Sequence, residues 1–409
     1  MAGGIVIIGA GQAALQFAAS LRLNGCHEKI TLLGQEHRAP YMRPPLSKSF
    51  LKGDSLEDDL MFRAQSWYEE QSINLQLQVE VTAIDAASKK VMVHSTAKSE
   101  SEYKSGPLKS LSYDRLVIAT GTRVRKLPPT IAPPVTNCLY LRTLDDAHKL
   151  KAATAQASNI VVIGGGFIGL EYAAAARQLG KQVMLVEAGP RLMGRAVSPF
   201  ISELFAKLHR SHGVDIRLDT GVSKVNVKSI ELAQSRACQV LLDDGEILPC
   251  DLVVVGIGAI ANDELAMAAG IETQNGVLVD QYLATSEPDI YAMGDCARFP
   301  FSFANTTEPV LLESVQNAVD QAKYLAARFT GKETKPFAVV PWFWSEQYQV
   351  KLQIAGMTQT YEEEKICHEP AKLAMSVEYH NGGVLAAVYS LNDARGHFTA
   401  RKRLKTGLT

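Results

Sequence analysis

Two glycine-rich turns constrain the fold of this chain more strongly than any other feature of its sequence. The first turn, Gly9-Ala10-Gly11-Gln12-Ala13-Ala14, lies between an apolar run, Gly4–Ile8, and a segment with helical spacing. It fits the pattern G-x-G-x-x-G/A, in which glycines allow a tight turn and a close backbone approach to a pyrophosphate. Glu36, or its neighbour Gln35, follows the next apolar run and would accept hydrogen bonds from a ribose. The start of the chain therefore predicts a β-α-β unit that binds a dinucleotide.

A second unit of the same kind lies further along the chain. Gly164-Gly165-Gly166-Phe167-Ile168-Gly169 follows the apolar run Ile160–Ile163 and opens a helical segment, and Glu187 ends the next apolar run. Two complete units are much more specific than one glycine turn. We therefore expect two bound dinucleotides, a flavin and a nicotinamide.

Glu187 also predicts which nicotinamide cofactor is preferred. A carboxylate at this place accepts hydrogen bonds from a ribose 2′-hydroxyl and repels a 2′-phosphate. Because like-charge contacts cost several kcal/mol and each ~1.4 kcal/mol is tenfold, we expect a preference for NADH over NADPH of roughly 10² or more. Arg191 is the one nearby residue that weakens this prediction.

Composition excludes several classes of protein. Lys and Arg number 42, Asp and Glu number 43, and the net charge is -1, whereas nucleic-acid binders usually carry a strong basic excess. The longest apolar runs fall well short of the ~18 residues of a membrane span, and the sequence opens without a basic n-region, so we expect neither a membrane-spanning helix nor a signal peptide. The six cysteines form no C-x-x-C pair, so we expect reduced thiols in a cytoplasmic protein, without a disulfide framework or a metal site.

Further motifs make the chain similar to one family of flavoproteins. They are Tyr41-Met42-Arg43-Pro44-Pro45-Leu46-Ser47-Lys48, Ala119-Thr120-Gly121, Gly164–Glu171, Gly294-Asp295-Cys296-Ala297 and Pro341-Trp342-Phe343-Trp344-Ser345. From Gly4 to about Arg403, the chain resembles the FAD-dependent, NADH-linked ferredoxin reductases of bacterial oxygenase systems. This group includes putidaredoxin reductase and biphenyl dioxygenase reductase and has the fold of the glutathione-reductase-type flavoproteins.

The resemblance implies an α/β fold with two Rossmann-like dinucleotide-binding domains plus a small α+β C-terminal domain. A discontinuous FAD-binding domain would comprise residues 1–118 and 251–329. The NAD-binding domain would comprise residues 119–250, and a C-terminal interface domain residues 330–409. Independently of the resemblance, the Ser/Lys/Glu-rich stretch 97–111 predicts an exposed excursion, and Asn381-Gly382-Gly383 predicts the turn of a hairpin.

The resemblance also implies which residues hold the cofactors. Besides the first glycine turn and Glu36 or Gln35, non-covalent FAD would contact Arg43, Lys48, Val81, Thr120, Gly121, Arg142, Asp295, Val315 and Trp344. NADH or NAD would contact Gly164, Gly166, Phe167, Ile168, Gly169, Glu171, Glu187, Gly256, Ile257 and Gly258. The chain departs from the family at Leu311, where an arginine is frequent, and in the run Ala259-Ile260-Ala261, where a proline is usual.

Three residues are implied to act in the chemistry itself. Lys48 and Glu171 would meet beside the flavin, where the lysine holds positive charge; the alternative is a structural ion pair between domains. Trp344 would lie beside the flavin and the nicotinamide, or else be a core aromatic. Cys296 has no partner cysteine, and Ser47 stands near the place where a single redox cysteine occurs in this fold. A disulfide reductase or a cysteine-based peroxidase is therefore disfavoured.

In function, the resemblance implies a ferredoxin–NAD(+) reductase. A hydride would pass from NADH to FAD, and single electrons would pass to a [2Fe–2S] ferredoxin serving a Rieske dioxygenase or a cytochrome P450, as in aromatic hydrocarbon catabolism. The basic segment from Arg395 to Lys405, including His397, would steer transient electrostatic docking of an acidic ferredoxin. Two alternatives are an NADH oxidase-type flavoenzyme and an NADH-binding signalling flavoprotein like apoptosis-inducing factor. Monomers and homodimers both occur in this fold, so the oligomeric state stays open.

Overall fold

The computed structural model describes residues 3–96, 109–230, 234–301, 309–358, 361–367 and 374–406. Its helices within these ranges are α1 (Gln12–Leu23), α2 (Ser49–Lys52), α3 (Gln65–Glu70), α4 (Leu144–Gln156), α5 (Phe167–Gln178), α6 (Pro199–Ser211), α7 (Glu264–Ala268), α8 (Val315–Phe329) and α9 (Ala394–Lys405). Short 3-10 turns occupy Pro44–Ser47, Asp58–Leu60 and Gly294–Cys296. None of the helices in the described ranges has the length and apolar composition that a bilayer crossing requires.

The first glycine turn belongs to a five-stranded parallel sheet. Its strands, in spatial order, are Ile290–Ala292, Arg115–Ile118, Ile5–Ile8, Ile30–Leu33 and Ile73–Gln76. The two apolar strands that flank α1 are fully buried, as parallel strands covered on both faces must be. α1 packs against α8, where Phe17 meets Phe329 edge to face with ring centroids 5.4 Å apart.

The second glycine turn belongs to another five-stranded parallel sheet. Its strands, in spatial order, are Val214–Arg217, Gln182–Val186, Asn159–Ile163, Leu252–Val255 and Cys138–Leu139. In both sheets the strand before the glycine turn is central, which confirms the two Rossmann-like units. The predicted division at residue 251 is corrected here, because Leu252–Val255 pairs in register with Ile160 to Ile163 of this second sheet.

The chain crosses between the two sheets at a short antiparallel ladder of Thr122–Val124 with Ala259–Ala261. Just beyond its end, the Thr120 hydroxyl donates to the Asn262 backbone carbonyl at 2.7 Å, and the Asn262 side-chain amide donates to the Thr120 carbonyl at 2.9 Å. The two crossings therefore lie side by side near residues 121 and 262, and not near residues 118 and 251.

Three small sheets flank the parallel ones. They are Val79–Asp85 with Lys90–Ser95 and Lys109–Ser112; Val222–Ile230 with Gln234–Leu242 and Ile247–Pro249; and Val277–Leu278 with Ala297–Phe299 and Val310–Leu311. The excursion predicted over residues 97–111 is wrong at its end, because Lys109–Ser112 pairs with the preceding strand. The side chains there are mostly exposed while the backbone completes a sheet edge, which is why a polar composition did not predict a strand. Residues 97–108 lie outside the described residues.

The C-terminal region is an antiparallel sheet with α9 packed against it. Its strands, in spatial order, are Trp342–Gln347, Val350–Gly356, Val384–Leu391, Met375–Asn381 and Glu363–Ile366. The predicted hairpin is confirmed: Asn381 pairs with Val384, and Gly382 and Gly383 have φ values of 55° and 77°, as a type I′ turn requires. The first strand of this sheet contacts α5 and α8, which brings the C-terminal region against the second glycine turn.

Candidate functional site

The first glycine turn leaves its outer surface open. Gly9 has a φ of +117°, and a Cβ there would lie 2.2 Å from the backbone oxygen of Ala119, so only glycine fits. By contrast, a Cβ on Gly11 would meet no heavy atom of the described residues within 4 Å. The backbone is thus pressed against a neighbouring strand on one side and accessible on the other.

The second turn repeats this arrangement. Gly164 has a φ of +105°, and a Cβ there would lie 2.4 Å from the oxygen of Gly256. A Cβ on Gly169 would lie 2.1 Å from the oxygen of Gly164, so α5 packs closely on the turn only because this residue is glycine. A Cβ on Gly166 would have as its nearest neighbour the backbone oxygen of Gly256, 3.9 Å away. The structure therefore brings Gly256 and Ile257, of the predicted Gly256-Ile257-Gly258 run, against the second turn.

The N-termini of α1 and α5 have no side-chain cap. Among the described helices of eight or more residues, α4, α6, α8 and α9 are capped by Thr143, Ser198, Ser314 and Asp393. α1 and α5 instead begin at Gly11 and Gly166, which have no side chain to accept a bond. Their first N–H groups and partial positive charge are left for a bound anion. This donor set and the open glycine surfaces fit the pyrophosphates of FAD and of NADH.

A chain of charged side chains starts at the predicted ribose position of the first unit. Glu36 accepts from the Tyr41 hydroxyl at 2.6 Å and from Arg43 Nη2 at 2.6 Å. Arg43 also donates to the Arg142 carbonyl at 2.7 Å, and Arg142 pairs with Asp295 at 3.2 Å. The fold thus brings Glu36 and Arg43 close to Arg142 and Asp295, which lie far from them in the sequence, and all four are predicted FAD contacts.

The other predicted FAD contacts lie near this chain or on the elements around it. A Cβ on Gly121 would lie 3.6 Å from Arg142 Nη2. Gly294, just before Asp295, donates its N–H to the buried Gln321 side chain on α8 at 2.7 Å. Of the others, Gln35 is exposed, Val81 is half-buried in the strand Val79–Asp85, and Val315 is the first residue of α8. All of the contacts with FAD stay predictions.

Glu187 is folded over its own glycine turn. Its carboxylate accepts from the backbone N–H of Gly165 at 2.7 Å and of Gly189 at 2.8 Å. A negative charge is therefore held in place at the end of the strand Gln182–Val186. Arg191 donates to two backbone carbonyls of the following loop, so its guanidinium is already engaged.

The structure brings Lys48 and Glu171 together, as predicted. Lys48 Nζ lies 2.6 Å from Glu171 Oε2, and the two side chains are 19% and 3% exposed. The same carboxylate accepts from Ser47 Oγ at 2.6 Å and from Ser345 Oγ at 2.7 Å. Such compensation is required, because a buried carboxylate without partners costs several kcal/mol. Lys48 also donates to the Pro44 carbonyl at 3.1 Å, which leaves one of its three N–H donors for a ligand.

The first strand of the C-terminal sheet divides its side chains between two faces. Phe343 packs against Phe167 at the start of α5, with ring centroids 4.6 Å apart, and Ser345 reaches Glu171 from the same face. Trp342 and Trp344 share the opposite face, with ring centroids 5.5 Å apart. Trp344 is half-buried there, and its place beside a flavin stays a prediction.

Cysteine chemistry has no support in the described structure. All six cysteines are free thiols. Cys296 is completely buried, the carbonyls of Ile118 and Met293 are both within reach of its single S–H, and burial raises the pKa of that thiol. Since the thiolate is the reactive form, these observations agree with a packing role for this residue.

Sequence reasoning missed most of the residues that hold the site groups in place. Gln321 contacts Gly294, and Asn262 contacts Thr120. No spacing in the sequence marks them, because each partner is brought near only by the fold. Tyr41, Ser47 and Ser345 lie inside recognised motifs, which were the one available signal for them.

Comparison with known proteins identifies relatives over nearly the whole chain. Residues 3–322 match the pyridine nucleotide-disulphide oxidoreductase family, and residues 342–409 match the reductase C-terminal domain. Rhodocoxin reductase of Rhodococcus erythropolis is 43% identical over 404 residues, which cover 98% of this chain and 89% of that protein. Putidaredoxin reductase of Pseudomonas putida is 37% identical over 390 residues, covering 95% and 88%.

Two solved structures share this architecture. The ferredoxin reductase for the CYP199A2 system from Rhodopseudomonas palustris has a TM-score of 0.90 at 39% identity, covering 99% of this chain and 95% of that one. The covalent putidaredoxin reductase–putidaredoxin complex also gives a TM-score of 0.90, at 36% identity, covering 100% and 94%. The match therefore extends over both parallel sheets and the C-terminal sheet.

Lys48→Ala should leave FAD bound but slow the bleaching of that flavin by NADH. The pyrophosphate and ribose contacts lie elsewhere, whereas the positive charge beside Glu171 is lost. We expect a fall of roughly 10²-fold in the rate constant, the size typical of removing one preorganised donor. Anaerobic stopped-flow absorption gives the rate, and the visible spectrum gives the FAD content.

Lys52→Ala is the matched control for this substitution. Lys52 lies four residues after Lys48 and pairs with Asp54 at the surface, at 2.9 Å. It should leave the rate unchanged. An unchanged rate in Lys48→Ala at full FAD content would leave the pair with a structural role only.

Proposed function

The chain belongs to the pyridine nucleotide-disulphide oxidoreductase family, and we propose that it is an NADH-dependent ferredoxin reductase. It takes electrons from NADH and passes them singly to a [2Fe–2S] ferredoxin that serves a bacterial oxygenase. The relatives that cover almost the whole chain are named as rhodocoxin and putidaredoxin reductases, and one solved relative is covalently joined to putidaredoxin.

The observation that carries this proposal is the meeting of the two dinucleotide-binding units at one ion pair. Lys48 follows the first unit, and Glu171 lies on α5, whose N-terminus opens the second. A charged pair shared by both units is well placed to align two dinucleotides for transfer between them.

Bound FAD supplies the change from two-electron to one-electron chemistry, because flavins accept hydride and release electrons singly. The residues of the chain bind the two cofactors and orient them. The uncapped N-termini of α1 and α5 hold pyrophosphates, and Glu36 and Glu187 hold riboses. Lys48, fixed by Glu171, keeps a positive charge in the site and so favours the arrival of negative charge there.

We propose domain limits that follow the crossing ladder. The FAD-binding domain comprises residues 1–121 and 262–329, the NAD-binding domain residues 122–261, and the interface domain residues 330–409. The pairing of Thr122–Val124 with Ala259–Ala261 and the membership of Leu252–Val255 in the second sheet support these limits.

The ferredoxin docks transiently on α9 in this proposal. Arg395, Phe398, Lys402 and Lys405 follow one another at helical spacing and are all exposed, and we call this row the α9 stripe. Lys402 lies over the ring of Phe398, with Nζ 4.4 Å from the centroid, so charge and apolar surface adjoin. Such a row complements an acidic partner.

The docking surface is smaller than the predicted basic segment. His397 is buried, and burial together with Arg401 and Lys351 lowers its pKa to about 4, so it adds no charge at neutral pH. Arg403 pairs with Glu378, and Arg401 lies over the Trp342 ring at 4.8 Å.

The proposal requires only one chain, because both dinucleotide-binding units and the ion pair lie within it. It holds for a monomer and for a homodimer. We also propose a cytoplasmic location, which the free state of all six cysteines supports.

Addition of a [2Fe–2S] ferredoxin should greatly increase NADH-dependent reduction of cytochrome c by the purified holoenzyme. The increase follows if the ferredoxin is the physiological one-electron acceptor. Fast NADH consumption with oxygen alone, unaffected by several ferredoxins, would instead indicate an oxidase. Slow flavin reduction into a long-lived complex without acceptor preference would indicate a signalling flavoprotein.

NADH should be preferred over NADPH by roughly 10² or more in kcat/KM, because the fixed carboxylate of Glu187 repels a 2′-phosphate. Flavin reduction is measured with each nucleotide in wild type and in Glu187→Ala. The variant should lose efficiency with NADH and gain it with NADPH. Equal efficiency of the two nucleotides in wild type would contradict the assigned role of Glu187.

Ferredoxin reduction should fall steeply as salt rises from low to physiological concentration, because steering by the α9 stripe is screened. Lys402→Ala with Lys405→Ala should lower the rate at low salt and flatten this dependence. Lys207→Ala, which removes an exposed lysine from α6, is the control. A flat salt response in wild type would exclude electrostatic docking.

A further inference from the structure

The hydrogen bonds of Glu171 continue beyond Ser345 into a buried chain of polar side chains. Gln347 donates to Ser345 Oγ at 3.2 Å, and His209 Nε2 lies 2.8 Å from Gln347 Oε1. The Tyr348 hydroxyl lies 3.4 Å from His209 Nδ1. Ser345, Gln347 and His209 are at most 1% exposed.

The charge on Glu171 determines the direction of every bond in this chain. An ionised carboxylate only accepts, so Ser345 must give it its single proton and must itself accept from the Gln347 amide. The Gln347 carbonyl then faces His209, which must carry its proton on Nε2. Nδ1 is left to accept from Tyr348. All the donors therefore point toward Glu171.

The buried environment keeps these groups in the required forms. Burial, with a smaller contribution from His212, lowers the pKa of His209 to about 4, so the imidazole is neutral at pH 7 and retains one acceptor nitrogen. Burial also raises the pKa of Tyr348, so its hydroxyl remains a donor. His212 stacks on the Tyr348 ring with centroids 3.7 Å apart and covers the outer end of the chain.

We propose that His209 and Gln347 are positioning residues, which orient the Ser345 hydroxyl toward Glu171 and so fix the carboxylate that anchors Lys48. They touch neither cofactor in this proposal and act only through Ser345. Without the Gln347 N–H, nothing fixes the direction of the Ser345 hydroxyl. Its bond to Glu171, one of the three donors that hold this carboxylate, is then weakened. The α6 helix and the C-terminal sheet thereby contribute to a site built mainly on α5 and the turn Pro44–Ser47.

This inference rests on the proposed function for its rate measurement only. Gln347→Met keeps the length of the side chain but removes both hydrogen bonds, and it should slow anaerobic bleaching of the flavin by saturating NADH about tenfold, the factor expected for one hydrogen bond. FAD content and the dissociation constant for NADH should not change. No ferredoxin is present, so the choice of acceptor does not affect the result.

A double-mutant cycle with Lys48→Met distinguishes positioning from general loss of stability. If His209 and Gln347 act through the ion pair, Gln347→Met should add almost nothing to the slow rate of Lys48→Met. The urea midpoints of unfolding of the wild type, Gln347→Met, Lys48→Met and the double variant, all loaded with FAD, give the same cycle without an activity measurement. The effects of the two substitutions on these midpoints should also be non-additive. If NADH fails to reduce the wild-type flavin, the proposed function fails, and the urea cycle still tests whether the hydrogen bonds from His209 to Glu171 act through the ion pair.

His209→Leu and His209→Gln provide a second, independent pair. Leu interrupts the row of hydrogen bonds from Tyr348 to Glu171 and should slow flavin reduction. Gln can still donate an N–H to Gln347 and should restore most of the rate. Tyr172→Phe is the matched control, because it removes a buried hydrogen bond to Thr154, 2.8 Å long, from α5, the helix that carries Glu171. It leaves the bonds between Glu171 and Tyr348 untouched. It should lower the urea midpoint and leave the rate unchanged.

Two results would overturn the proposal. One is a rate within twofold of wild type for His209→Leu or Gln347→Met at full FAD content. The other is a fall in rate that persists undiminished in the Lys48→Met background, since the effect would then not pass through the ion pair. If Gln347→Met does not retain FAD, the His209 pair decides the question alone.

Discussion

One buried carboxylate, Glu171, joins three parts of the molecule that are far apart in the sequence. It lies on the helix of the second dinucleotide unit, accepts from Ser47 and Lys48 after the first unit, and accepts from Ser345 in the C-terminal sheet. A charge on a side chain that is 3% exposed is tolerated only while these donors stay in place. Its solvation requirement therefore links the relative positions of all three parts.

The second constraint is the missing cap on two helices. Glycine in place of a capping side chain at a helix N-terminus costs roughly a few tenths of a kcal/mol, and it adds a cost in backbone entropy. The chain accepts this cost at α1 and α5 and avoids it at the other long helices in the described ranges. A bound pyrophosphate offsets the loss, so the two exceptions indicate ligand sites. Glu171 lies on one of these helices, which connects the anion sites to the ion pair.

Local patterns predicted the parts of this structure that depend on local chemistry. The two glycine turns, the parallel strands beside them and the Gly382-Gly383 hairpin needed only short-range signals, and the structure confirms them. The division at residue 251 was wrong because an apolar run such as Leu252–Val255 does not specify which sheet it joins. The Lys48–Glu171 contact followed from a family resemblance. Ser345, Gln347 and His209 could not be predicted, because their hydrogen bonds depend on how the C-terminal sheet packs on α5 and α6.

The central claim is that both dinucleotide sites serve one flavin and that no second redox centre takes part. Anaerobic titration of the purified holoenzyme with NADH tests it most directly, because it counts the electrons that the protein accepts. The account predicts that one equivalent of NADH per bound FAD bleaches the flavin completely. A requirement for a second equivalent would reveal a reducible disulfide and contradict the account, as would a flavin that excess NADH leaves oxidised.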